Sequence, residues 1–326
     1  MSIDRYKISM PSSPLGIAVT RARPATQRFA APVLYVHGAT FPSELAVGYK
    51  FDGLCWRCDL VRHGYEVWAF DFLGFGASDR CPEMTGDASA ASPLGRASSA
   101  VRQLAAVIAF IQAKTGAPRV SLVAHSWGSI VAGLCAASYP FAIERLVFFG
   151  PVVQRQLTVS WPAAAMPAWM TMTREAQWQR FSQDVPSGHT PVLAQSHFDR
   201  WASDYLATDS ACAAHGGVRI PMGPMADIAA GWHGALAYDP ALITAPLRIV
   251  RGEWDSLCND ADAAWLLSRL PADLDKDDVK LPEGTHLMHL ERGRDRLYAA
   301  TRAWLSKGDR HVPVQRHRRD LRGEAA

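Results

Sequence analysis

The stretch RVSLVAHSWGSIVAG, from Arg119 to Gly133, decides how the chain is read. Val120 to Val123 form a short apolar, β-rich run, and Ser129 to Tyr139 read as a helix of small and apolar side chains. Between them, Ala124-His125-Ser126-Trp127-Gly128 holds a serine with small residues two positions to either side. A strand that turns at once into a helix must strain its central residue, and small neighbours let the two backbones approach. The product is a serine hydroxyl lifted above the sheet edge, over a helix N-terminus that favours negative charge. The pentapeptide has the form G-x-S-x-G with Ala124 in place of the first glycine. Alone, it also fits a serine capping an ordinary helix. Its meaning depends on whether the rest of the chain supplies a base and an acid.

Outward from this turn, strands and helices alternate. Tyr6 to Met10 and Ile17 to Arg21 read as two short antiparallel strands. ValLeuTyrVal (33–36) reads as a strand buried on both faces and ends in His37-Gly38-Ala39-Thr40. Asp52 is expected to cap a helix from Gly53 to His63, and GluValTrpAlaPhe (66–70) is the next strand, closing on Asp71-Phe72-Leu73-Gly74-Phe75-Gly76-Ala77-Ser78. Val101, Leu104, Ala105, Ile108 and Ile111 then repeat at helical spacing. After the serine turn come strands at 145–150 and 247–250, the second ending at Gly252-Glu253-Trp254-Asp255. A capped helix from Asp260 to Leu270, a strand at 278–281, the turn Pro282-Glu283-Gly284-Thr285-His286 and a closing helix from Arg292 to Leu305 complete the series. Such alternation predicts an α/β fold with a parallel sheet covered on both faces.

The pattern breaks between 151 and 236, where no buried strand is evident. Trp161, Trp169, Trp178, Trp201 and Trp232, together with Met166, Met170, Met172, Met222 and Met225, concentrate there, and prolines cut the segment into short helices. So much aromatic and thioether surface needs a partner. The expectation is a helical lid over 151–236 between two parts of one core, 1–150 and 237–306, with a basic flexible tail over 307–326.

Composition sets the outer limits. A chain of 326 residues with 48% hydrophobic and 20% charged residues is neither disordered nor fibrous. Its net charge of +3 is carried largely by the tail, which leaves no nucleic-acid footprint. Six cysteines are not a secreted framework at this length, and the lone C-x-x-C of Cys55 and Cys58, placed in a predicted helix, reads as neither metal nor redox site. No signal peptide and no run of about 18 apolar residues is present, so a soluble, cytoplasmic protein without a membrane span is expected. No cofactor or metal motif occurs, so none is expected.

A serine hydroxyl needs a base, and the base needs an acceptor on its far nitrogen. In a parallel sheet such groups belong at the carboxyl ends of strands. The chain offers Asp255 and His286 there, in the order Ser126, Asp255, His286, which is the order of a nucleophile-elbow enzyme. His289 is a rival base; Glu253 and Asp260 are rival acids. With the His37-Gly38 turn, the Asp71-Gly74-Gly76-Ser78 loop, the elbow, Gly252-Glu253-Trp254-Asp255, and Gly284-Thr285-His286 followed by Glu291, the chain resembles an α/β-hydrolase of the lidded, epoxide-hydrolase-like or lipase-like branch, from Tyr6 to Leu305.

The resemblance implies a mostly parallel, eight-stranded sheet and an inserted cap. It implies Ser126 as nucleophile, His286 as general base, Asp255 as acid, and the backbone N–H groups of Ala39 and Trp127 as the oxyanion hole. Thr40, Phe41, Trp161, Trp169, Trp232 and Leu287 are expected to line the substrate pocket, with the Trp127 ring in its wall. His37 and His125 are expected to be structural. A serine nucleophile departs from epoxide hydrolases and haloalkane dehalogenases, which use a carboxylate. Ser-Trp-Gly-Ser is similar to prolyl aminopeptidases, but His-Gly-Ala-Thr-Phe is not their His-Gly-Gly-Pro-Gly, and the triglyceride-lipase His-Gly-Gly-Gly is absent. The expected substrate is a small apolar or aromatic ester, cleaved through an acyl-serine. Amide or C–C hydrolysis, acyl transfer, a lyase reaction, and a ligand-binding receptor or pseudoenzyme stay open, as do monomer and dimer.

Overall fold

The computed structural model describes residues 2–10, 13–158 and 166–307. Trp161 and the basic tail beyond Lys307 therefore lie outside the described residues. The first part of the core runs β1 (Ile3–Ser9), β2 (Gly16–Ala22), β3 (Val33–Val36), α1 (Trp56–Arg62), β4 (Val67–Phe70), α2 (Ala97–Thr115), β5 (Val120–His125), α3 (Trp127–Ser138) and β6 (Ile143–Phe149). An insertion follows: β7 (Trp169–Met172), α4 (Arg174–Ser182), α5 (Gln195–Leu206), α6 (Cys212–His215), β8 (Val218–Pro221) and α7 (Gly223–Trp232). The core resumes with β9 (Leu247–Gly252), α8 (Asp260–Arg269), β10 (Lys276–Leu281) and α9 (Arg294–Leu305).

The eight core strands form one sheet in the order β1-β2-β4-β3-β5-β6-β9-β10. The β1–β2 and β2–β4 pairs are antiparallel and all others parallel. This is the α/β-hydrolase sheet. From β3 the chain steps one way to β4 and then back across to β5, so right-handed crossovers put α1 on one face and α2 on the other. Accordingly α1 packs on α9, and α2 on α3. The central strands β3, β4 and β5 are buried along their whole length, which is why they read as continuous apolar runs rather than alternating ones.

Some local readings are corrected. Asp52 does not cap α1: it has a φ of +53° and lies beside Arg294 and His197. The cap is Cys55, whose sulfur accepts the Cys58 N–H, and Cys55 and Cys58 form a disulfide, so the C-x-x-C is a covalent clasp at the helix start. Asp260, the rival acid at the start of α8, pairs with Arg251 and Lys280, while Asn259 and Asp262 form that helix's reciprocal capping box. Finally, the insertion is not all helix. β7 and β8 pair antiparallel, from Trp169 opposite Pro221 to Met172 opposite Val218, and β8 is buried throughout.

Candidate active site

Ser126 sits between β5 and α3 with φ 55° and ψ −127°, a region costly to a residue with a Cβ, by about 1–3 kcal/mol. Three contacts hold it there. Its N–H donates to the Phe149 carbonyl at 3.0 Å, and its carbonyl accepts from the Ser129 N–H at 2.9 Å and the Ser129 hydroxyl at 2.6 Å. Gly128 is needed for closeness: a Cβ there would lie 2.5 Å from the His37 carbonyl oxygen and 2.7 Å from that of Val36. The elbow is thus pressed against the end of β3.

Asp255 follows β9 and His286 follows β10, so neighbouring strand ends deliver both beside the serine. The Ser126 Oγ lies 2.8 Å from His286 Nε2, and His286 Nδ1 lies 2.9 and 3.0 Å from the two Asp255 oxygens. A carboxylate can only accept, so Nδ1 carries the proton and Nε2 keeps the lone pair that faces the hydroxyl. Asp255 is itself oriented by the N–H groups of Leu257 (2.9 Å) and Cys258 (3.0 Å). All three side chains are buried.

The neighbouring titratable groups hold other posts. His37 donates from Nδ1 to the Gly38 carbonyl (2.8 Å) and accepts the Phe72 N–H at Nε2 (3.0 Å), tying the β3 turn to the end of β4. His125 stacks on Phe149 and its Nε2 lies 3.0 Å from the His286 carbonyl, so it braces the loop that carries His286. Burial holds the His125 ring well below the usual histidine range, and nearby His289 and His286 add to this. His289 is pushed down to about 3, first by burial and then by His286, and among the described residues neither of its ring nitrogens has a hydrogen-bond partner. It does not face the serine; its ring lies against His125, Phe149 and Trp56. Glu291 accepts both the N–H (3.1 Å) and the hydroxyl of Thr285, and burial raises its carboxyl to about 7. Glu253 accepts the Glu283 N–H at 3.1 Å and Asp260 sits in its ion pairs, so neither rival acid serves His286.

Ala39, Thr40, Phe41 and Leu287 join Gly38, His125, Ser126 and Arg180 around a small recess over the serine. Ala39, Ser126 and Arg180 also line a larger cavity of about 550 Å³, most of whose other wall comes from the insertion. Its lining is Leu157, Met166, Met170, Met172, Met222, Met225, Ile228, Ala229, Trp232 and Leu257, with His233 and Arg180. Trp232 is therefore where the sequence puts it. Trp169 is not: its ring turns to His215. The Trp127 ring is not in the wall either, because its indole N–H donates to Asp227 at 2.9 Å and its face meets Phe72. Sequence reasoning missed Arg180 altogether, since an arginine near the end of a polar helix reads as solvent-facing. Among the described residues no group of His, Cys, Asp or Glu side chains is placed to hold a metal, and no helix is long and apolar enough to cross a membrane.

Known proteins place the chain. A triacylglycerol lipase from Burkholderia plantarii is 30% identical over 145 residues, which span 44% of this chain and 34% of that lipase. Among solved structures, the thioesterase domain from the curacin biosynthetic pathway superposes with a TM-score of 0.62 at 16% identity, over 94% of this chain and 99% of that one. An epoxide hydrolase from Vigna radiata superposes with a TM-score of 0.60 at 15% identity, over 94% and 98%. Such low identities speak for the fold alone. Residues 50–293 match the family described as serine aminopeptidase, S33, and the chain belongs to that family: it is an α/β-hydrolase enzyme.

Proposed function

We propose that this hydrolase is a serine carboxylesterase acting on small, largely apolar esters through an acyl-serine. The observation that carries this is the 2.8 Å approach of Ser126 Oγ to His286 Nε2 at the floor of a methionine-lined cavity. His286 takes the Ser126 proton as Oγ attacks the ester carbonyl, and Asp255 steadies the imidazolium that forms. The developing oxyanion is held by the backbone N–H groups of Ala39 and Trp127, the second at the first turn of α3, where the helix field favours negative charge. His286 then returns the proton to the departing alcohol and activates a water that releases the acid. Segment 151–236 is the cap that keeps this chemistry under an apolar roof. Thioethers and aliphatic groups suit acyl chains of varied shape, because methionine adapts its packing.

The ester reading is favoured over an aminopeptidase by charge. An aminopeptidase must hold a protonated amino terminus, yet the charged side chain lining the cavity is the Arg180 guanidinium, and no aspartate or glutamate lines it among the described residues. The test is labelling with a fluorophosphonate probe beside a panel of p-nitrophenyl esters of rising chain length and one aryl amide. Labelling of wild type but not of Ser126→Ala, with turnover of esters above the amide and its collapse in His286→Ala, is the expected result. Folded protein that neither labels nor turns over would overturn the reading in favour of a binding module.

A further inference from the structure

Arg180 lies on the last turn of α4, half-buried, on the wall of both the recess over Ser126 and the larger cavity. Among the described residues its guanidinium makes no hydrogen bond or ion pair, and its Nε is fully buried without a partner. The two polar groups whose fields reach it make their hydrogen bonds elsewhere and form no ion pair with it among the described residues. Asp184 accepts from the Ser256 hydroxyl at 2.6 Å, and the Tyr205 hydroxyl donates to the Thr40 carbonyl at 3.2 Å. Burial pulls the guanidinium down and both of those groups pull it up, but arginine keeps its charge at neutral pH. The remaining walls of the cavity are mostly thioether and aliphatic. An unpaired cation with five donors in a rigid fork, its Nε shut away from solvent in a mostly apolar cavity wall, is costly, and such groups are usually paired in protein structures.

From this, the geometry points to an anion subsite: Arg180 receives a carboxylate of the substrate, close to the ester that Ser126 attacks. The substrate class is then an amphiphilic acid-ester, its apolar body among the methionines and its carboxylate forked on Arg180. Because Arg180 borders the recess that Ser126 and Ala39 share, the carboxylate and the scissile carbonyl are near neighbours on the substrate. This inference rests on the esterase reading for its chemistry but not for its binding arm.

Two measurements test it. The first compares kcat/KM for phenyl butyrate with two acids, monophenyl adipate (carboxylate on the acyl side) and 3-(butyryloxy)benzoate (carboxylate on the alcohol side). Wild type is expected to favour one of the acids over the neutral ester by roughly ten- to a hundredfold, the worth of a charge-assisted hydrogen-bond pair. Arg180→Met brings that ratio to about one, and Arg180→Lys restores part of it. A wild type that prefers the neutral ester over both acids, or an Arg180→Met protein that keeps the wild-type ratio, overturns the proposal. The second measurement needs no turnover: calorimetric binding of octanoate and of octanol to Ser126→Ala protein. Octanoate is expected to bind more tightly, with the difference lost on adding Arg180→Met. Equal binding of acid and alcohol overturns the proposal even where esters are hydrolysed; tight octanoate with no hydrolysis of any ester sinks the esterase reading and leaves the subsite standing.

Discussion

Gly150, the residue after β6, stands behind the Asp255–His286 pair rather than in it. It has a φ of +52°, and a Cβ built on it would lie 2.8 Å from Asp255 Oδ2, 2.9 Å from His286 Nδ1 and 3.0 Å from His286 Cε1. Those atoms are already in contact with each other at 2.9–3.0 Å, so a methyl cannot enter without driving carboxylate and imidazole apart. Ordinary van der Waals spacing asks for a displacement of about 0.5 Å on each side. Misplacing a reacting group by about 1 Å costs on the order of a hundredfold in rate. Gly150→Ala is therefore expected to lower kcat on an activated ester by roughly ten- to a hundredfold. The left-handed φ adds about 1–2 kcal/mol of destabilisation and the overpacking about 1–3 kcal/mol.

The control separates wedge from strain. Gly116 ends α2 with a φ of +74° and has nothing within 4 Å of where its Cβ would stand. Gly116→Ala carries the same kind of backbone penalty with no neighbour to push, so it lowers Tm by a few degrees and leaves turnover alone. Both variants are assayed by kcat per titrated active site, well below their Tm values measured by circular dichroism. Folded Gly150→Ala with kcat within threefold of wild type would refute the reasoning, as would an equal loss in Gly116→Ala.

Two further outcomes follow from the same geometry. Asp255→Asn keeps the shape of the acid but turns the imidazole proton economy around, so kcat should fall by about 10⁴ with Tm little changed; a loss under about tenfold argues that Asp255 does not serve His286. His289, held at about 3 while an unfolded chain offers about 6.5, remains neutral when folded. As pH falls from 6.5 towards 3 the unfolded chain takes up a proton that the folded chain refuses, so stability present above 6.5 is lost through that window, by about 1.4 kcal/mol per unit. In urea melts from pH 7.5 to 4, His289→Phe should flatten the acid limb of stability; an unaltered limb counts against a neutral buried His289.

What could be read in the sequence is what the chain fixes locally. Val33 to Val36 run as valine, leucine, tyrosine and valine without alternation because β3 has neighbours on both edges and helices over both faces, and its bounds are recovered to the residue. The elbow is equally local, since strand, small residues and helix are contiguous. Asp255 and His286 are legible because strand ends announce themselves by glycine turns. What escaped depends on distant partners. β7 and β8 have four residues each and pair only with one another, so neither carries a recognisable period. Whether the Trp127 indole faces substrate or core is decided by Asp227, 100 residues on. Arg180 is the extreme case: α4 is polar apart from Ala176, Trp178 and Phe181, and only the residues that fold around it from elsewhere in the chain, among them Gly38 to Phe41, turn its charge to a cavity wall.

Asp227 also ties the insertion to the sheet domain on the α7 side. Its carboxylate accepts from the Trp127 indole at 2.9 Å, from the Ala97 N–H at 2.6 Å and from Arg96 Nε at 2.5 Å. One buried residue of the insertion thus satisfies the first turn of α2 and pins the side chain of Trp127, the residue after the proposed nucleophile. Breaking a buried, charge-assisted set of this kind by removing one member costs about 3–5 kcal/mol. Lifting α7 away would break all three bonds at once and release Trp127, whose backbone N–H is half of the proposed oxyanion hole. If the insertion is the cap proposed above, it cannot open along α7 without loosening the turn that carries Ser126.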